Sequence, residues 1–248
     1  MTYPAQWHQT YGDKTGASAR AILPPLLRLF DAHSLLEVGC GNGHWTQSAR
    51  DVGIDDYNVV DGPWNNREHL LVENDRFIEA NLSVPLKLGR RYDMAICLEV
   101  AEHVQQASAA TLVASLCDAA DVVLFGAAIP LQGGYGHINE QWPSWWRDLF
   151  AARGYRAFDL VRPRHWDDAS IHYWYRQNTF VYVRESDAAA LATAQEAERE
   201  SGGALALFDA VHPEKYIEMA SYESIAMKKL LRRLPGWALR RIGIGGGD

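Results

Sequence analysis

Between residues 20 and 185 the chain alternates short runs rich in valine, isoleucine and leucine with segments whose apolar residues recur at helical spacing. No other feature limits the fold as strongly, because the two periods require different backbones. The extended candidates are residues 34–39, 56–62, 75–82, 92–100, 121–129, 155–162 and 178–185, and the helical ones are 43–53, 103–120 and 141–154. Strand and helix in alternation predict an α/β fold: a Rossmann-like, doubly wound, mostly parallel sheet with helices on both faces. The last two runs are separated by loop rather than by a clear helix, so a terminal antiparallel hairpin is expected, making the sheet seven-stranded and mixed.

After residue 185 the composition changes. Residues 186–206 are alanine-rich and charged, as suits a surface helix ending at Gly202-Gly203. This divides the chain into a catalytic domain, residues 1–185, and a helical C-terminal extension, residues 186–248. Within the extension Met227, Leu230, Leu231 and Leu234 recur at helical spacing beside Lys228, Lys229, Arg232 and Arg233, and Pro235 should start a second short helix carrying Trp237, Leu239, Arg240 and Arg241. Such a basic amphipathic end reads either as a peripheral membrane contact or as packing on the catalytic domain or a second subunit, and the second reading is favoured. The net charge of −7 includes those six cations, so the rest of the chain is more acidic still and nucleic acid is disfavoured as a partner. Three cysteines without a CxxC pair, no leader-like start and no apolar run of about 18 residues lead us to expect a cytoplasmic protein.

The first strand, "LLEVG", runs into Gly39-Cys40-Gly41-Asn42-Gly43. A strand feeding a glycine loop that opens a helix places backbone N–H groups beside a ligand at the carboxyl end of the sheet. The spacing is G-x-G-x-G, which is neither the dinucleotide pattern G-x-G-x-x-G nor a Walker loop. Acidic residues flank it: Glu37 before the first glycine, and Asp61 at the end of the next strand, where a carboxylate can accept from a ribose diol.

These residues, with "VVDG", "EANLSVPL" and "YDMAICLEVAEHV", resemble the successive motifs of the class I S-adenosylmethionine-dependent methyltransferases over roughly residues 20–185. The resemblance implies S-adenosylmethionine as cofactor, with contacts from Glu37, Gly39, Cys40, Gly41, Asn42, Gly43, Asp61, Gly62 and Glu99, and from Tyr11 near the amino terminus. It further implies that Asn81 and Leu82 flank the adenine.

Methyl transfer to oxygen needs alignment and a proton acceptor. Candidates fall in "LEVAEHV", with Glu99, Glu102 and His103, and in "GGYGHINEQWPSWW", with His137, Asn139, Glu140, Gln141, Trp142, Trp145 and Trp146. The second cluster reads as a site wall, or as a helix start capped by Asn139 with its tryptophans in the core. A third, "WDDASIHYWYRQN", holds Asp167, Asp168, His172, Gln177 and Asn178 and reads as site or as exposed loop. His137 is the expected base, histidine being the side chain that titrates nearest neutrality, with Glu140 or Asn139 orienting the acceptor and His103 nearby. E-x-x-E-H is similar to the run in ubiquinone-pathway O-methyltransferases and to the magnesium ligands of plant small-RNA 2'-O-methyltransferases. That likeness implies Glu99, Glu102, His103 and His137 as a magnesium set. The whole pattern most resembles a bacterial methyltransferase group associated with polysaccharide and specialised-metabolite clusters. It implies O-methylation of a small molecule or glycan, with N-methylation, RNA 2'-O-methylation and a non-catalytic adaptor as alternatives.

Overall fold

In the computed structural model, residues 5–202 and 207–221 are described, with side chains from residue 12 onward. Seven strands form one sheet: β1 (Ser34–Val38), β2 (Asp56–Asp61), β3 (Phe77–Glu79), β4 (Tyr92–Leu98), β5 (Ala120–Gly126), β6 (Tyr155–Phe158) and β7 (Phe180–Arg184). Their order is β3-β2-β1-β4-β5-β7-β6, parallel except for β7, which runs antiparallel to both its neighbours. The expected mixed seven-stranded sheet is therefore present. Its last two strands do pair antiparallel, but two short helices separate them, α5 (Arg162–His165) and α6 (Tyr173–Asn178), where a plain loop was expected.

Strand period two divides the core. Leu35, Tyr57, Val59, Met94, Ile96, Val122 and Leu124 face one side, with α1 (Ala5–Leu29), α2 (His44–Arg50) and α7 (Ala188–Glu200). Leu36, Val38, Val60, Ala95, Cys97, Val123 and Phe125 face the other, with α3 (Ala109–Ala119) and α4 (Pro143–Ala151). Burial on both faces explains why the central strands read as continuous apolar runs. α1 begins before the alternation visible in the sequence and contains Pro24 and Pro25. Its stripe of Ala19, Ile22, Leu23, Leu26 and Leu27 is fully or almost fully buried, and packing of that face outweighs the proline penalty.

Contacts divide the chain into units 1–210 and 211–248. Residue 185 marks the end of the last strand, whereas the first unit continues through α7, which lies against β6 and β7. The second unit shows α8 (Pro213–Ala220), started by Pro213 and capped by the His212 side chain, which accepts from Glu214 N at 3.2 Å. The amphipathic segment expected from Met227 to Arg241 lies outside the described residues. No helix among the described residues is long and apolar enough to cross a membrane.

Candidate active site

The site lies at the carboxyl ends of β1, β2, β4 and β5. Gly39, Gly41 and Gly43 all take positive φ, at 78°, 52° and 82°. At Gly39 a Cβ would also stand 2.2 Å from Val100 Cγ2, so the glycine lets the loop close against the end of β4. Gly41 is the reverse: nothing lies within 4 Å of where its Cβ would be, which leaves the loop tip open to a ligand.

Two carboxylates brace this loop. Glu37 accepts from Thr46 N at 2.9 Å and Thr46 Oγ1 at 2.5 Å, anchoring the first turn of α2 to β1. Burial pushes its pKa up to about 8 against the opposing bonds from Thr46. Asp61 accepts from Gly62 N at 2.7 Å through Oδ1, and through Oδ2 from Gly41 N at 2.9 Å and Asn65 Nδ2 at 3.0 Å. Asn65 also donates to Gly41 O at 2.7 Å, a latch that the sequence reading missed although it sits four residues after Asp61. The exposed Trp64 was missed too; its ring lies over Gly62, where a Cβ would meet it at 2.3 Å. Cys40 is a buried packing residue, and Asn42 O accepts from Leu71 N at 2.9 Å. Ala80 N bonds to Asp61 O at 2.9 Å, which sets residues 80–82 beside Asp61. There Asn81 is exposed and caps Ser83 N at 2.9 Å, while the Leu82 side chain is buried in the sheet core. The Tyr11 side chain lies outside the described residues.

Glu99 follows β4 in a left-handed conformation, φ 55°, unusual for a non-glycine residue. Its Oε1 accepts from Asn178 Nδ2 at 2.9 Å and its Oε2 from Gln132 Nε2 at 2.8 Å. Gln132 Oε1 in turn accepts from Asn178 Nδ2 at 3.0 Å and Gln177 Nε2 at 3.3 Å. The end of the third sequence cluster therefore converges with the loop after β5 through a buried amide network. Burial raises the Glu99 pKa to about 7, the two amides opposing it and Glu140 adding to it. Elsewhere in that cluster His172 stacks on Trp174 at 3.9 Å, and Asp168 accepts from Ser170.

The turn at 101–103 presents Glu102 and His103 opposite the loop carrying His137. The backbone joins them, Ile138 N and Asn139 N donating to Glu102 O at 2.9 and 3.0 Å. Glu102 is 0% exposed, and no side chain among the described residues hydrogen-bonds to its carboxyl. Burial and the nearby Glu99 hold its pKa well above the usual carboxylate range. His137 Nε2 lies 3.9 Å from Glu102 Oε1, and His137 Nδ1 lies 2.9 Å from Glu140 Oε1. Glu140 also accepts from Leu131 N at 2.8 Å and Gly133 N at 2.7 Å. It thus orients His137 and its own loop. His103 Nδ1 lies 3.2 Å from Gly136 O, and its ring meets that of His137 edge-on at 5.0 Å. Burial lowers the His103 pKa and His137 reinforces this, while the Gly136 carbonyl and Asp61 oppose it.

Three expectations are corrected. Glu102, His103 and His137 each offer a ligand atom within 4.8 Å of the others, but Glu99 is not among them, and both its oxygens accept from amides. Asn139 does not cap the helix. Its amide donates weakly to Ala101 O at 3.4 Å and accepts from Gln141 at 3.1 Å, while Trp142 is the N-cap of α4. The tryptophans form no continuous wall, since Trp146 is buried against Phe125 and only Trp142 is exposed.

A family model described as a methyltransferase domain matches residues 11–161, more than half of the chain. A sugar N-methyltransferase from Streptoalloteichus is similar in structure, with TM-score 0.59 and 16% identity over 74% of this chain and 94% of that one. An amino pentose methyltransferase of calicheamicin biosynthesis from Micromonospora echinaspora, solved with S-adenosylmethionine bound, gives 0.54 and 14% over 74% and 98%. DesVI of Streptomyces venezuelae gives 0.53 and 14% over 72% and 95%. At these identities the likeness is one of fold. No curated protein matches the chain.

Proposed function

The chain belongs to the methyltransferase-domain family, and from that premise we propose that it transfers the methyl group of S-adenosylmethionine to a hydroxyl or amine of a small-molecule or glycan acceptor, with His137 taking the acceptor's proton. The observation that carries this reading is the His137–Glu140 pair at 2.9 Å, set against the carboxyl of Glu102. When bound, S-adenosylmethionine supplies an electrophilic methyl group on a sulfonium.

The residues at the glycine loop fit that cofactor. Gly41 leaves room for close approach, and Asp61 Oδ1 accepts only from Gly62 N among the described groups, so a lone pair remains for a ribose hydroxyl. Glu99, beside the loop and oriented by Gln132 and Asn178, is the carboxylate nearest the amino-acid end in this reading. On the acceptor side, Glu140 as acceptor fixes the hydrogen of His137 on Nδ1 and leaves Nε2 to receive a proton. O-methylation is the reading favoured by the sequence, because a hydroxyl needs such a base; the same nitrogen serves an ammonium.

Magnesium does not fit. It demands near-octahedral, oxygen-rich coordination at about 2.1 Å, whereas the cluster offers one carboxylate and two imidazoles and lacks Glu99. No step is assigned to it. His137→Ala is expected to lower turnover by about 100-fold or more with cofactor affinity nearly intact. Single-turnover assays with calorimetry alongside check this, and retained turnover would remove His137 from the reaction.

A further inference from the structure

We propose that Gln132 is a positioning residue that joins the cofactor site to the proton acceptor, so that filling the first sets the orientation of His137 in the second. The proposal rests on the methyltransferase reading above and adds an order to it: the cofactor binds, and the acceptor side is then made ready.

Residues 131–133 face two ways. The backbone N–H groups of Leu131 and Gly133 donate to the two oxygens of Glu140, at 2.8 and 2.7 Å, and Glu140 Oε1 also meets His137 Nδ1 at 2.9 Å. Between them the side chain of Gln132 runs inward, 6% exposed, and its Nε2 donates to Glu99 Oε2 at 2.8 Å. One residue therefore stands between the carboxyl beside the glycine loop and the clamp that holds the orienting partner of His137.

The backbone is constrained to make this connection. Leu131 and Gly133 have positive φ, at 69° and 70°, and Glu99 has 55°. Glycine adopts such values freely, whereas leucine and glutamate do so at a cost. The Leu131 side chain is 72% exposed, so its own packing does not hold it there. Among the described residues Asp31 is the only other non-glycine residue at positive φ. Strain at both ends of one hydrogen-bonded link supports a functional rather than a purely structural role for it.

The amides around the link leave it little slack. Asn178 Nδ2 donates to Glu99 Oε1 at 2.9 Å and to Gln132 Oε1 at 3.0 Å, and Gln132 Oε1 accepts further from Ile129 N and Gln177 Nε2, both at 3.3 Å. Both Gln132 and Asn178 thus aim an amide nitrogen at the Glu99 carboxyl. A turn of that carboxyl towards an ammonium at the amino-acid end of the cofactor draws on Gln132, and a shift of Gln132 moves the two N–H groups that hold Glu140. The chain from Glu99 through Gln132 and Glu140 to His137 is four residues long, and each of its hydrogen bonds is between 2.7 and 2.9 Å.

The test uses the full-length protein and S-adenosylhomocysteine, with the His137 ring signal identified in NMR spectra by its absence from His137→Ala. Saturating S-adenosylhomocysteine is expected to shift that signal in the parent. In Gln132→Met, which keeps the length of the side chain without its amide, the ligand should still bind at saturation and the shift should fall by about half or more. Coupling between sites is reciprocal, so Glu140→Ala, which releases the clamp, should weaken S-adenosylhomocysteine by about fivefold or more in calorimetry, whereas His137→Ala, which leaves the clamp in place, should not. A His137 signal that ignores the bound ligand in the parent, or responds equally in Gln132→Met, would overturn the proposal alone. Should Gln132→Met fail to fold or to bind, Glu140→Ala decides, and an affinity equal to the parent's would overturn the proposal. A parent that does not bind S-adenosylhomocysteine would overturn the methyltransferase reading and the proposal with it.

Discussion

Gly134 illustrates how one missing side chain sets a functional group. Its φ is 157°, and a Cβ there would stand 2.2 Å from His137 Nε2, the nitrogen assigned to the proton. The imidazole is held by Glu140 and cannot simply swing aside, so Gly134→Ala is expected to cut turnover by about tenfold or more with cofactor affinity unchanged. Rate and calorimetry measured on the same preparation check this. Glu37 makes a second prediction, of stability. Its folded pKa is about 8 against an ordinary value of 4.5, so the folded state binds the extra proton between those values. The Glu37 contribution is therefore complete below about pH 4.5 and is lost as pH rises towards 8. Glu37→Gln should keep a bond from Thr46 and carry no charge to bury. Its melting temperature relative to the parent is expected to climb from pH 5 to 8 and then level, and a flat difference would contradict the assignment. The importance of Glu37 was legible in the sequence from its place before the glycines, but its partner was not, since nothing in the spacing shows that Thr46 folds back onto it.

Among the elements, the segment after β6 was the least legible. "RPRH" reads as an exposed loop, yet Arg162 opens a short helix with its guanidinium fully buried. It donates to Asp159 Oδ2 at 2.8 and 2.9 Å, to Phe208 O at 2.8 Å and to Leu207 O at 3.1 Å, and lies over the Phe180 ring at 4.3 Å. One arginine thus ties the stretch beyond α7 to the sheet. Removing one member of a buried pair leaves the other charge uncompensated. Arg162→Met should accordingly cost about 3–5 kcal/mol in urea unfolding, and a loss below about 1 kcal/mol would show that the pair is not what holds the segment. Strands β1, β2, β4 and β5 were legible because burial on both faces writes a continuous apolar run. β3 shrank to three residues, and α1 was hidden by its two prolines, because there tertiary packing rather than local pattern decides.

At the scale of the whole molecule, a doubly wound sheet brings the ends of β1, β2, β4 and β5 to one edge, and the candidate groups gather there. The glycine loop and Asp61 were readable in sequence because cofactor geometry constrains their spacing. The acceptor side was readable only as residue types: the meeting of Glu99 with Gln132 and Asn178, and of Glu102 with His137, joins positions that are far apart along the chain. The central claim is that the loop and Asp61 hold S-adenosylmethionine. Titration calorimetry of the full-length protein with S-adenosylhomocysteine, in parent and Asp61→Ala forms, tests it most directly. The account predicts one site per chain, weakened by about 1–3 kcal/mol in the variant through loss of charge-assisted hydrogen bonds. No binding by the parent, or equal affinity in the two proteins, would contradict it.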